Sequence, residues 1–176
     1  MKISQTISPL PVELIPALPE QEAVLANLLE LYAHDFSAFL DLELGADGRF
    51  GYPNLPLYWK ESHRYPFFIT VNAHWAGFVL VQQGSQLSGN EEIWDVTEFF
   101  IVRTYRRRGV GMRAAHKVWQ QFPGKWEVRV IDQNHQAKEF WGRAIAEFLN
   151  QTIQPTPFKK PGEDWHVFSF ASPRAA

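Results

Sequence analysis

The sequence contains no cysteine. That absence excludes disulfides, thiolate metal sites and a cysteine nucleophile, and it fits a reducing compartment. No stretch approaches the roughly 18 consecutive apolar residues of a membrane-spanning helix. Pro9, Pro11, Pro16 and Pro19 interrupt any N-terminal run that could serve as a signal-peptide core. The expected location is the cytoplasm, with no membrane partner. An excess of positive charge is missing too. Lys and Arg total 17 against 19 Asp and Glu, for a net charge of −2, whereas a chain built for duplex nucleic acid is usually basic. The six histidines show no His-x-x-x-His or other close pairing, so no metal is expected. With no internal repeat, low-complexity tract or Gly/Ser-rich linker, residues 1–176 are expected to form a single domain.

What is present is a globular composition. Hydrophobic residues make up 45% and charged residues 20% of 176 positions, enough to bury a sizeable core. Seven Trp and fourteen Phe raise the aromatic content to 15%, and such side chains line ligand pockets as well as cores.

Periodicity divides the chain into elements. Residues 10–16 are apolar and broken by proline, which suits an edge strand at best. A helix starts at Pro19 or Glu20, with Val24, Leu25, Leu28, Leu31 and Tyr32 at helical spacing. Residues 41–65 carry Gly45, Gly48, Gly51, Pro53 and Pro56 among Phe50, Tyr52, Tyr58 and Trp59. So many breakers predict a loop holding at most a short helix, either on the substrate side or as an aromatic flap over core. Phe67 to Val71 and Trp75 to Gln82 read as a hairpin joined by Asn72-Ala73-His74. Glu92 to Val102 reads as a long strand. A helix opens at Arg106–Gly111 and runs to Pro123-Gly124. Trp126 to Ile131 is a strand, Asn134 begins another helix, and Trp165 to Phe170 is a final strand, with 151–158 a candidate antiparallel partner. This order predicts an α/β sandwich with a mixed sheet, in which the strands at 92–102 and 126–131 are parallel.

Between those two strands lies Arg106-x-x-Gly109-x-Gly111. The first turn of a helix has N–H groups without intrahelical partners, and its dipole adds partial positive charge. Glycines let the preceding loop curl so that successive N–H groups converge on one anion. Arg106, Arg107 and Arg108 add counter-charge. A phosphate-bearing ligand fits this arrangement; a solvated basic turn capping the helix is the alternative. The motif is neither a Walker P-loop nor a dinucleotide fingerprint.

The run from Glu98 to Gly111 resembles the signature of the GCN5-related N-acetyltransferases: an apolar strand, a short loop, then Arg/Gln-x-x-Gly-x-Gly/Ala. Asn134-x-x-Ala137-x-x-Phe140-Trp141 is similar to a second block of that family, Asn-x-x-Ala-x-x-Phe-Tyr. Together the blocks span about a third of the chain. The resemblance implies a three-layer α/β sandwich with a mixed, mostly antiparallel sheet, splayed central parallel strands and helices on both faces. It implies acetyl-CoA as co-substrate and an amine of a small molecule or peptide as acceptor, attacked directly without an acyl-enzyme. Main-chain groups over Ile101, Val102 and Arg103 would pair with the pantetheine arm. The segment Arg106, Arg107, Arg108, Gly109, Val110, Gly111 and Met112 would hold the pyrophosphate. Asn134 would contact the pantetheine or phosphate side, and Ala137, Phe140 and Trp141 would line the channel.

Acetyl transfer needs a base for the ammonium and an acid for the leaving thiolate. Glu98 and Asp95 are the candidate bases. In a regular strand Asp95, Thr97, Phe99 and Ile101 share one face and Val96, Glu98, Phe100 and Val102 the other, so only one of the acids faces the cleft. Glu98 sits among apolar residues that would raise its pKa. Trp141 stands where the family often has an acidic Tyr, and indole cannot donate such a proton. Tyr105, Tyr32 and Tyr65 are candidate substitutes. Asp35, in the pair His34-Asp35 that ends the first helix, could recognise an acceptor ammonium or simply be a helix end in contact with solvent. Two other readings stand beside the enzyme: an acyl-CoA-binding module without efficient turnover, which Trp141 favours, and a nucleic-acid module using the cluster from Arg103 to Arg113, which the net charge disfavours. Exposed aromatics could supply a homodimer interface.

Overall fold

The computed structural model describes residues 11–160 and 162–173. Residue 10 of the expected first strand lies outside them. The first described strand, β1 (Val12–Pro16), is an edge strand bracketed by Pro11 and Pro16, and it pairs with β2 alone. Pro19–Gln21 forms a 3-10 turn that leads into α1 (Glu22–Phe36), which buries Leu25 and Leu29. The breaker-rich segment follows as loop, ending in the single turn α2 (Leu57–Lys60).

Two apolar runs then form β2 (Arg64–Val71) and β3 (His74–Gln83). Phe67 to Val71 and Ala76 to Val81 are all buried, as expected for strands covered on both faces. Their connection is two residues, not the three expected. Asn72 and Ala73 both take positive φ, 49° and 62°, the geometry that matches the twist of flanking strands, and His74 is therefore already in the ladder. Next come β4 (Trp94–Ile101), α3 (Val110–Gln121), β5 (Gly124–Ile131), α4 (His135–Leu149), β6 (Thr156–Lys160) and β7 (Glu163–Ser172). Pro123 and Gly124, the latter at φ 137°, stop α3. Asn134 caps α4 through a hydrogen bond that its Oδ1 accepts from the Ala137 N–H at 3.0 Å.

The seven strands form one sheet in the order β1-β2-β3-β4-β5-β7-β6, antiparallel except between β4 and β5. One apolar core lies between the sheet and α3/α4, around Val118, Trp119 and Trp126. The other lies between the sheet and α1/α2, around Leu25, Phe68 and Phe78. Each fully buried side chain of this kind contributes about 1.5–3 kcal/mol. This is the expected three-layer sandwich. The expected splay is present as well: β4 and β5 are each eight residues long, yet they pair only at Trp94↔Trp126 and Asp95↔Glu127. Beyond those rungs the two strands part.

One departure from regularity governs the site. Leu80 pairs with Glu98, but Val81 pairs with Val96. Thr97 is therefore the extra residue of a β-bulge. The alternation expected through β4 breaks there. Val96 joins the α3/α4 core while Phe100 joins the α1 core. Asp95 and Glu98, expected on opposite faces, both face α1.

Candidate active site

A cleft of about 590 Å³ opens on the α1 side of the sheet where β4 and β5 part. Its walls come from α1, the loop that follows it, the bulged part of β4, the second half of β5 and the start of α4. Among the described residues that line it, Arg129 is the one cationic side chain, against the acids Asp41, Glu43 and Glu98.

Glu98 lies at the floor. Burial pushes its carboxyl above the ordinary range, opposed by hydrogen bonding from Tyr32 and Tyr52 and by the Arg129 charge. The Tyr52 hydroxyl donates to Glu98 Oε1 at 3.1 Å. The Tyr32 and Tyr52 hydroxyls are raised in turn, chiefly by burial and then by the neighbouring Glu98 charge.

Asp95 is fully buried and is held differently. Arg129 Nη2 donates to its Oδ2 at 2.9 Å, and Arg129 Nε lies 3.5 Å from Oδ1. Burial raises the Asp95 carboxyl, and Arg129 pulls it back. Two acids on one face thus have unlike settings: Asp95 is matched to a guanidinium, and Glu98 is matched to phenols.

On the other side of the fork stands the glycine-rich loop. Gly109, at φ 71°, is the N-cap of α3, and no side chain caps the helix. Arg107 also takes a left-handed φ, 57°, a conformation costing an ordinary residue about 1–2 kcal/mol. The loop is therefore curled, with the N–H groups of Val110, Gly111 and Met112 at the start of α3 lacking intrahelical partners. A Cβ on Gly111 would lie 3.2 Å from Phe140 and 3.4 Å from Ile101, so glycine allows the helix start to close down on the fork. Val110 is buried and Met112 partly buried against the α3/α4 core. Arg107 and Arg108 are exposed and without an acidic partner among the described residues.

The remaining arginines of the cluster are committed elsewhere. Arg103 and Arg106 bond the two oxygens of Asp35, at 2.6 Å and 2.5 Å. Arg113 Nη2 donates to the Arg108 carbonyl at 3.1 Å. Asp35, a candidate for an acceptor ammonium or else a solvated helix end, is already paired. Burial pushes its carboxyl up, and hydrogen bonds from Arg106 and Arg103 overcome this and hold it below the usual range.

The channel residues divide. The Val102 N–H goes to Ala76 on β3, so by strand alternation Phe99 and Ile101 turn their main-chain groups into the fork. Arg106 Nε donates to the Ile101 carbonyl at 2.7 Å. The strand ends at Ile101. Arg103, whose backbone was expected to pair with the pantetheine arm, sits in a 3-10 turn with its carbonyl bonded to the Arg106 N–H. Asn134, Ala137 and Trp141 line the cleft, whereas Phe140 stacks on Phe99 behind it. Trp141 is buried and packs edge-on against Phe99. Of the tyrosines considered for the acid, only Tyr32 lines the cleft. Tyr65 packs on Trp94 and Phe122, and Tyr105 lies against the α3/α4 core.

Sequence reasoning missed Tyr52 and Arg129. Arg129 had a readable signal, a charge at the outward alternate of the strand Trp126-Val128-Val130. Tyr52 had none beyond membership of an aromatic loop. Among the described residues no group of His, Asp or Glu could hold a metal ion, and no helix is long and apolar enough to cross a membrane.

A three-layer sandwich whose central parallel strands fork, with a glycine-rich helix start beside the fork, defines a class. The fold is that of the GCN5-related N-acetyltransferases. No protein-family profile and no curated protein matches the sequence. An acetyltransferase from Thermus thermophilus superimposes with a TM-score of 0.69 at 16% identity, over 94% of this chain and 99% of that one. The spermidine N-acetyltransferase of Vibrio cholerae, in complex with CoA and spermine, gives 0.61 at 12% identity, over 92% and 95%. NAA60 of Arabidopsis thaliana, in complex with acetyl-CoA, gives 0.58 at 14% identity, over 92% and 98%.

Proposed function

We propose that this protein transfers the acetyl group of acetyl-CoA to an amine of a small molecule or peptide. The observation that carries the reading is the fork itself. A cleft with a carboxylate at its floor lies where β4 and β5 part, and the chain that leaves β4 forms an uncapped, glycine-rich helix start.

The chain's groups fit this co-substrate. The curled loop and the exposed Arg107 and Arg108 suit a pyrophosphate. The main-chain groups of Phe99 and Ile101 suit the amides of a pantetheine arm, which would take the Ile101 carbonyl from Arg106. Asn134 keeps its Nδ2 for the same arm, because only its Oδ1 is used in capping. Acetyl-CoA supplies an activated acyl group as a thioester.

Glu98 is the general base. It accepts a proton from the acceptor ammonium, directly or through water, and leaves a neutral amine to attack. Its raised pKa matches that task better than an ordinary carboxylate would. Arg129, clamped by Asp95, presents its remaining N–H donors to the cleft where negative charge develops on the acyl oxygen. Tyr32 gives its proton to the departing sulfur and recovers one from Glu98. Glu98, charged again, takes the second proton that the nitrogen sheds as the amide forms and releases it to solvent, so one proton ends on the thiol, one in bulk water, and no free phenolate accumulates.

The first test is a calorimetric titration of acetyl-CoA and desulfo-CoA into wild type and an Arg107→Glu/Arg108→Glu variant. Binding to wild type that weakens at least tenfold in the variant supports the reading, and amine panels are then screened for thiol release. No binding to wild type at millimolar ligand overturns it. Binding without release from any amine would favour an acyl-CoA-binding module, the reading that Trp141 supports.

A further inference from the structure

The loop after α1 reaches the site by one anchor. Glu30, on α1, accepts the N–H of Phe50 on Oε2 at 2.8 Å and the N–H of Gly51 on Oε1 at 2.9 Å. Arg49 Nε lies 3.6 Å from the same carboxylate. Gly51 takes φ 71°, which turns the chain so that consecutive N–H groups meet one carboxylate. One residue further on, Tyr52 donates to Glu98. Between Asp41 and Tyr52, the described hydrogen bonds to other elements are these three, apart from bonds within the loop and to Leu40.

The loop is therefore a strap with a charged clamp at one end and the cleft floor at the other. We propose that Glu30 is a positioning residue: by clamping residues 50 and 51 it holds Tyr52 on Glu98 and keeps water off the floor of the cleft. Release of the clamp is then the motion that admits the acceptor. This inference rests on Glu98 being the base of the proposed reaction.

The clamp acts on Glu98 in two opposite senses. The Tyr52 hydrogen bond favours the charged carboxylate, and exclusion of water favours the neutral acid. The groups facing Glu98 are Tyr32 from α1, Tyr52 from the strap, Tyr58 from α2, Asp95 from β4 and Arg129 from β5. Burial is the largest of these influences. Opening the whole strap therefore lowers the Glu98 pKa, whereas removing the Tyr52 hydroxyl under a closed strap raises it. A side chain that merely stabilised the fold would move neither.

The experiment compares wild type, Glu30→Ala, Glu30→Gln and Tyr52→Phe. Carboxyl NMR titration, with the Glu98 signal assigned by its loss in Glu98→Gln, reads the base without any substrate. Amide exchange at Phe50 and Gly51 reads the clamp. In Glu30→Ala both amides should lose protection, and Glu98 should titrate at lower pH. In Tyr52→Phe the amides should stay protected, and Glu98 should titrate at higher pH. Glu30→Gln keeps one acceptor oxygen and should shift Glu98 less than Glu30→Ala, in the same direction; it carries the test should Glu30→Ala fail to fold. Released amides with an unmoved Glu98 overturn the proposal, as does a shift of the same sign in both Glu30→Ala and Tyr52→Phe. If the shifts occur as stated and no amine is acetylated, the clamp stands and the assigned reaction falls.

Discussion

Asp95 and Glu98 face the same side of β4 because Thr97 is an extra residue in its ladder with β3. The bulge sets two carboxylates on one face, Glu98 in the cleft lining and Asp95 buried beside it, and Arg129 takes only Asp95 as its partner. Their division of labour follows: Asp95 holds a cation in place, and Glu98 stays available for a proton.

The first consequence concerns pH. Glu98 must be charged to act as base, and burial raises its pKa. Activity measured as kcat/KM should therefore rise with pH through a limb above the ordinary glutamate value of about 4.3. Glu98→Gln should lower kcat about 10²–10³-fold, abolish that limb and leave acetyl-CoA affinity unchanged. Thiol release and calorimetry measure both. A full-rate Glu98→Gln enzyme would remove Glu98 from the mechanism.

Asp95 should matter to stability. Asp95→Asn takes from the largely buried Arg129 its hydrogen-bonded counter-charge, and breaking a buried pair in this way typically costs about 3–5 kcal/mol. Urea unfolding should show the loss, and the double replacement Asp95→Leu/Arg129→Met should recover most of it while remaining inactive. A cost of less than about 1 kcal/mol for Asp95→Asn would place that pair among weak surface bridges.

Gly111 should tie cofactor affinity to packing. Valine there drives methyl groups into Phe140 and Ile101. Overpacking of this kind costs about 1–3 kcal/mol, and the displaced helix start should weaken acetyl-CoA binding at least tenfold. Wild-type affinity in a folded Gly111→Val variant would contradict the placement of the pyrophosphate.

Tyr32 and Trp141 make a paired prediction. Tyr32→Phe should lower kcat about 10- to 100-fold with little change in the acceptor KM. Trp141→Tyr in that background should restore part of the rate, because it returns a phenol to the cleft lining. No loss in Tyr32→Phe would mean that the thiolate departs with solvent alone.

Local rules carried the reading of the chain where a residue type has one physical use. Asn134 before an amphipathic run is an N-cap, and it caps α4. Gly109 before an apolar helix start takes the left-handed turn that glycine allows. Strand, helix, strand from Trp94 to Ile131 required the parallel crossover that forms the fork. Long-range choices were not legible. Thr97 looks like any strand threonine, and only the register with β3 makes it a bulge. Asp35 meets Arg103 and Arg106 across a separation that no periodicity reveals. Glu30 meets Phe50 and Gly51 through backbone N–H groups, which leave no trace in side-chain pattern.

The fork has a cost outside catalysis. An uncovered strand edge is a template on which another chain can pair, and β4 carries one inside the molecule at Phe99 and Ile101. Arg106, steadied by Asp35, plugs the last carbonyl of that edge. An internal ion pair thus closes part of an edge whose main-chain groups would otherwise be open to strand pairing.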